Sequence, residues 1–159
     1  MKINYTIGDA TRPEGDGNKV IVHICNDVGG WGAGFVLALS KRWKQPEQEY
    51  RAKHAKSFHG GPALKLGSVQ FVPVEADITV ANLVGQCGVG RNSLNPPIRY
   101  DAVREGLHEV CKHCVKTKSS VHMPRIGCGL AGGRWEMIEP IIQQELCDRG
   151  FQVTVYDLK

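Results

Sequence analysis

Apolar residues fall into two kinds of spacing along this chain. Six short stretches either alternate apolar with polar residues or run almost wholly apolar: Ile3–Ile7, Lys19–Cys25, Ser68–Val74, Ile78–Val84, Ser120–Met123 and Phe151–Tyr156. A period of two, or a short apolar run bounded by turn residues, predicts a β-strand. Phe35–Arg42, Pro46–Lys56, Tyr100–Lys116 and Trp135–Arg149 follow the helical period, the second of them the more polar. Glu75-Ala76-Asp77 reads as a turn, Gly88–Pro97 as a loop rich in Gly, Asn and Pro, and Gly150 as the C-cap of the last helix. Strands alternating with helices predict an α/β fold, a mixed, mostly parallel central sheet covered on both faces. With 159 residues and no linker, repeat or low-complexity tract, residues 1–159 read as one domain.

Composition narrows the setting. No apolar run approaches the roughly 20 residues that a membrane helix needs. Met1-Lys2-Ile3-Asn4-Tyr5 lacks the apolar stretch of a secretory signal, so the cytoplasm, or a nucleus, is the expected compartment. The six cysteines fit a reducing compartment, where Cys25, Cys87, Cys128 and Cys147, alone among apolar or glycine neighbours, read as small hydrophobes. Cys111 and Cys114 sit on a helix without a second pair at metal spacing, so neither metal nor cofactor is expected. A net charge of +4 suits an anionic ligand without requiring nucleic acid, and the basic residues read as mixed with acids along the chain, forming no stripe with interleaved aromatics.

In open α/β sheets the ligand lies beyond the carboxyl ends of the strands. Three unusual loops stand there: Gly8-Asp9-Ala10, the run Asn26–Gly34, and the run Pro124–Gly133. The two glycine-rich ones each lead into a helix. Unpaired amides at a helix start, with no side chains in the way, suit a phosphate, and two facing loops suit a pyrophosphate. Spacing alone leaves each loop evenly balanced between this role and an ordinary turn. Neither loop carries GxGxxG or the Gly-Lys-Ser/Thr of a P-loop.

Read together, Gly8-Asp9-Ala10, His23-Ile24-Cys25-Asn26, Gly30-Trp31-Gly32-Ala33-Gly34-Phe35, Met123–Leu130 and Val153-Thr154-Val155-Tyr156 resemble the macrodomain family over nearly the whole chain. The Met123–Leu130 block is similar to the branch holding terminal ADP-ribose-protein glycohydrolase and DNA-ADP-ribose-removing antitoxins. The Asn26 and Trp31 blocks also resemble ADP-ribose-1''-phosphate phosphatases. The resemblance implies a three-layer α/β/α fold and a cleft for ADP-ribose, or for ADP-ribosylated protein or nucleic acid, in a monomer. It implies that Asp9 accepts from the adenine amino group, with Gly8 and Ala10 beside it. Tyr156 would wall the base, or equally be a core tyrosine. Gly32, Ala33 and Gly34 would wrap one phosphate, and Gly127, Cys128, Gly129 and Leu130 the other, with Phe35, Arg125 and Ile126 flanking them. Trp31 would cover the distal ribose, with core packing as its competitor. Asn26 would hold the distal ribose, with Asp27 and His23 as acid–base candidates; His23 is as readily a core residue.

The chain departs from the glycohydrolase pattern at two places. That branch carries a lysine near the end of the fourth strand and an aspartate after the second glycine loop. Here Val84-Gly85-Gln86 and Ala131 stand instead. A lysine–sugar adduct is thereby excluded, and the obvious acid–base group is missing. Hydrolysis of ADP-ribose-1''-phosphate or ester-linked ADP-ribose by Asn26, Asp27 and His23 ranks first. A non-catalytic ADP-ribose reader ranks second, and a nucleic-acid-binding module last.

Overall fold

A computed structural model describes residues 1–61, 64–89 and 96–159. Its elements run β1 (Asn4–Ile7), β2 (Lys19–Asn26), α1 (Phe35–Arg42), α2 (Gln45–Ser57), β3 (Val69–Glu75), β4 (Ile78–Gln86), α3 (Tyr100–Thr117), β5 (Ser120–Met123), α4 (Trp135–Glu145) and β6 (Val153–Asp157). The six strands form one sheet in the order β1-β6-β5-β2-β4-β3. All neighbours are parallel except β3 and β4, which the Glu75–Asp77 turn makes antiparallel. The predicted reading of Gly88–Pro97 as a loop falls mostly on residues 90–95, outside the described residues.

Strand alternation divides the interior into two cores. Val20, Val22, Val121, Met123, Val153 and Val155 meet one helix layer, built from α3 and α4. Ile21, Cys25, Val80 and Val84 meet Val36, Leu39 and Tyr50 of α1 and α2 on the opposite face. The same alternation puts His122 and Tyr156 on that second face. The connection Gly8–Asn18 reaches them there, with Ala10 and Thr11 buried and the Glu14 amide donating to the Tyr156 hydroxyl at 2.9 Å.

Two departures from the sequence reading concern boundaries. Strands β2 and β4 run past their apolar cores, to Asn26 and Gln86, because they pair with each other to the end. The last helix stops at Glu145 and not at Arg149. Leu146 leaves helical geometry (φ −122°, ψ −59°), and Cys147–Arg149 form a separate short 3₁₀ turn. Gly150 closes that turn at φ 91°, the left-handed conformation expected of a C-cap glycine.

The pairing of β2 positions the site. With β4 it continues through Asn26, but with β5 it includes only Lys19, Val20 and Ile21. From β5 the chain moves on to β6, and from β2 it moves toward β3. The gap above Ile21 is therefore a topological switch point, where an α/β sheet opens a crevice.

Candidate functional site

Two adjoining cavities of about 200 and 290 Å³ occupy that crevice and share Ile24, Ala33, Val36, Gln86 and Leu130. The first extends to Gly34, Phe35, Gly127 and Gly129, the second to Asn26, Gly30, Trp31 and Val89. Their combined size falls in the roughly 300–1,000 Å³ range of small-molecule sites. Among the described residues no carboxylate lines either cavity, so nothing anionic opposes a phosphate.

The loop after β2 is shaped by side chains. Asn26 Oδ1 accepts from the amides of Val28 and Gly30, each at 3.0 Å, while its amide group donates to the Gly30 carbonyl at 2.8 Å. The buried Tyr50 hydroxyl lies 2.6 Å from the Asn26 carbonyl oxygen and 2.8 Å from Oδ1. Asn26 is thus the brace of its own loop, with one Nδ2 hydrogen left for a ligand. Trp31 is buried; its indole donates to Ser40 Oγ at 2.8 Å, and Ser40 donates to Glu47. Core packing therefore governs Trp31, although it also lines the second cavity. Beyond it Gly32, Ala33 and Gly34 are exposed, and among the described residues their amides meet no acceptor. Gly34 opens α1 at φ 80°, ψ −147°, a backbone that favours glycine, and no side chain caps the helix.

The loop after β5 is shaped by its backbone. Gly133 donates to the Gly127 carbonyl at 2.7 Å, and Ile98 to the Ala131 carbonyl at 3.1 Å. Gly127 sits at φ +73° against Ile98, where an added Cβ would lie 2.7 Å from Cδ1. The amides of Gly129, Leu130 and Ala131 have no acceptor among the described residues. Two sets of amides without an acceptor among the described residues thus belong to residues that line the cleft, one set in each loop. Cys128 is half-buried, and burial pushes its thiol pKa up, as suits a loop residue and not a nucleophile.

The acid–base candidates are not brought together. His23 is buried beneath Trp31 and Phe35, at centroid distances of 5.3 and 6.0 Å. Its Nε2 lies 2.5 Å from Asn82 Oδ1, across the β2–β4 register. Asn82 Nδ2 donates to the Pro46 carbonyl and Gln70 Oε1, so its Oδ1 must accept and His23 Nε2 carries the proton. Desolvation pushes the His23 pKa down to about 4, with Asn82 acting weakly the other way. His23 thus lines the first cavity from within a buried polar network, and its burial favours the neutral imidazole. Asp27 is half-buried; its Oδ1 accepts from the Gly88 amide at 2.8 Å, and it lines neither cavity.

The adenine-side residues have definite places. Asp9 Oδ1 accepts from the Thr11 amide at 2.8 Å and hydroxyl at 2.7 Å, leaving Oδ2 without a partner among the described residues. Tyr156 is 3% exposed under Gly8, and its hydroxyl lies 2.8 Å from His122 Nδ1. In this conformation little of the Tyr156 ring is open to a ligand. Arg125 lines the first cavity but is paired with Asp157 at 2.7 and 3.0 Å, beside the rings of Tyr5 and Trp135. Ile126 is buried in the core. Sequence reasoning missed Gln86, which lines both cavities with its amide donating to the Gly88 carbonyl, and Tyr50, which holds Asn26. No motif marks either residue; only strand pairing and helix placement reveal them.

No family model matches the chain. A structure of a protein of unknown function from Bacteroides thetaiotaomicron is 58% identical, superposes with a TM-score of 0.92, and is covered over 99% of both chains. A macrodomain protein from Streptomyces coelicolor is 49% identical with a TM-score of 0.86, over 98% of this chain and 99% of its own. Among curated proteins, chromodomain-helicase-DNA-binding protein 1-like of Danio rerio is 34% identical over 97% of this chain, which spans only 15% of that relative's length. An ADP-ribose 1''-phosphate phosphatase of Meyerozyma guilliermondii is 25% identical over 90% of this chain and 93% of its own. No described helix is long and apolar enough to cross a membrane. With its parallel sheet opened between β2 and β5, two facing glycine loops and near-complete overlap with the Streptomyces protein, the chain belongs to the macrodomain family.

Proposed function

We propose that residues 1–159 act as one macrodomain whose cleft binds ADP-ribose, with the pyrophosphate between the two glycine loops. The observation that supports this best is the pair of unsatisfied amide sets, Gly32–Gly34 and Gly129–Ala131, on opposite walls of a cleft without carboxylates. Asp9 Oδ2 takes the adenine amino group, while Oδ1 stays with Thr11. Calorimetry checks the reading: ADP-ribose is expected to bind more tightly than AMP or NAD, and Asp9→Ala to weaken it by about 1–3 kcal/mol, the cost of a charged hydrogen bond. Equal affinity for NAD would show that the distal ribose is not enclosed, and unchanged affinity in Asp9→Ala would remove Asp9 from the site.

A second reading adds turnover of ADP-ribose-1''-phosphate or ester-linked ADP-ribose. It is favoured by the similarity to the ADP-ribose 1''-phosphate phosphatase, and it requires Asp27, which follows Asn26 in sequence and has Oδ2 without a partner among the described residues, to turn toward the cleft it does not line here. Asn26 would hold the distal ribose, and Asp27 would take a proton from the water that bonds to the phosphorus or ester carbon, returning it to the ribose oxygen as that oxygen's bond to the same centre breaks, with the Gly129 and Leu130 amides meeting the developing charge. Release of phosphate or ADP-ribose, lost in Asp27→Ala with affinity kept, is the expected outcome. Tight binding with no turnover leaves the reader function alone.

A further inference from the structure

We propose that the face formed by the end of α1, α2 and the segment after it docks single-stranded nucleic acid, independently of the ADP-ribose cleft. The chain as a whole is only mildly basic, which conceals a strong local asymmetry. Residues 41–65 hold seven lysines and arginines against two acids, whereas the rest of the chain holds thirteen against fourteen. The whole positive excess therefore sits on this one stretch. Two histidines, His54 and His59, add donors to it.

The fold leaves these cations available. Arg42 pairs with Glu75, and Arg51 with Glu47. Lys41, Lys44, Lys53, Lys56 and Lys65 have no carboxylate within ion-pair distance among the described residues. Phe58 follows α2 with 74% of its surface exposed, and its ring meets His54 edge-on at 5.0 Å. This large apolar ring is mostly open to solvent just beyond a polar helix, with Lys56 and His59 beside it in sequence. A base can stack on it while lysines meet the flanking phosphates, a combination that tolerates any sequence. An anionic membrane would use the lysines but has no need of a planar stacking surface, and an acidic peptide has no base to offer Phe58. Single-stranded nucleic acid uses both.

The ledge also adjoins the cleft. Arg51 Nη1 donates to the Gly29 carbonyl at 3.4 Å, and the His54 ring packs where a Gly29 side chain would be. A strand docked along α2 thus passes beside the loop that Asn26 braces.

Fluorescence anisotropy with a short labelled oligonucleotide of mixed sequence, as DNA and as RNA, tests the inference without ADP-ribose present. Binding is expected to weaken linearly on a log–log plot against salt. Lys53→Gln/Lys56→Gln should reduce the slope by about 1.4, the contribution of two single-strand phosphates. Phe58→Ala should weaken binding roughly tenfold while leaving the slope unchanged. Melting temperature and ADP-ribose affinity of both variants should match the parent, which separates this result from the fate of the cleft reading. Absence of oligonucleotide binding at low salt, or variants that bind as tightly as the parent, would overturn the proposal. So would equal binding to phosphatidylserine vesicles with no effect of Phe58→Ala, which would make the face a membrane contact.

Discussion

Asn26–Gly34 and Pro124–Gly133 face one another across the cleft and are similarly rich in glycine, yet they are held by opposite means. The first is fastened by side chains: Asn26 clasps the amides of Val28 and Gly30, Tyr50 holds Asn26, and Trp31 is anchored through Ser40 to Glu47. The second is fastened by close approach, Gly127 against Ile98 and Gly133 against the Gly127 carbonyl. Gly32 and Gly129, one in each loop, meet nothing within 4 Å of an added Cβ. The comparison teaches that glycine appears in one loop for two unrelated reasons. At Gly127 the fold requires it; at Gly32 and Gly129 the fold does not, and an unobstructed backbone facing the cleft is what remains to explain it.

The difference can be broken at its strongest point first. Gly127→Val combines a left-handed backbone with a Cβ 2.7 Å from Ile98. It is expected to cost on the order of 3 kcal/mol or more, a fall in melting temperature of roughly 6–12 °C. An unchanged thermal transition would mean that close packing does not hold the second loop.

Acid should act next, and on the first wall. The His23 pKa lies near 4 in the folded chain and near the ordinary 6.5 in the unfolded one. Between those values the unfolded state binds more protons, so stability is complete above pH 6.5 and declines as pH falls toward 4. The His23 share is on the order of 2–3 kcal/mol between pH 7 and pH 4.5. His122, whose pKa is likewise pushed down to about 4 by burial and then by the Lys19 charge, loses stability in the same window. The measurement is therefore the difference in urea midpoints between the parent and His23→Gln, which keeps a donor for Asn82. Equal acid sensitivity in the two proteins would show that the polar network does not keep His23 neutral.

The smallest effect on stability is expected at Gly32→Val and Gly129→Val, within about 0.5 kcal/mol of the parent. Neither position has a positive φ, so a side chain enters without backbone strain and projects into open space. ADP-ribose binding should nevertheless be lost. Normal affinity in both variants would mean that the loops do not cradle phosphate.

The strands and the two glycine loops were legible because apolar runs and glycine clusters are local signals. The roles within the site were less so, because partners arrive from distant segments. His23 stands balanced between core and catalysis in the sequence, and its partner Asn82 arrives from β4 through a register that no local pattern encodes. Asn26 looked free to meet a ribose; Tyr50, from α2, and the loop's own amides occupy most of its capacity. The end of α4 was misplaced because the helical period of apolar residues continues through Leu146, while the backbone turns there. The basic face was hidden by averaging charge over the whole chain.

The short pairing of β2 with β5 has a wider consequence. Above Ile21, β2 is an edge strand that lies inside the molecule. Open edges at the periphery recruit strands from other chains and seed aggregation. Here the edge opens into the cleft between the loops after β2 and β5, so it is reached through the cleft and not from the periphery. The sheet thereby keeps polar backbone open to a guest without offering it to its own copies.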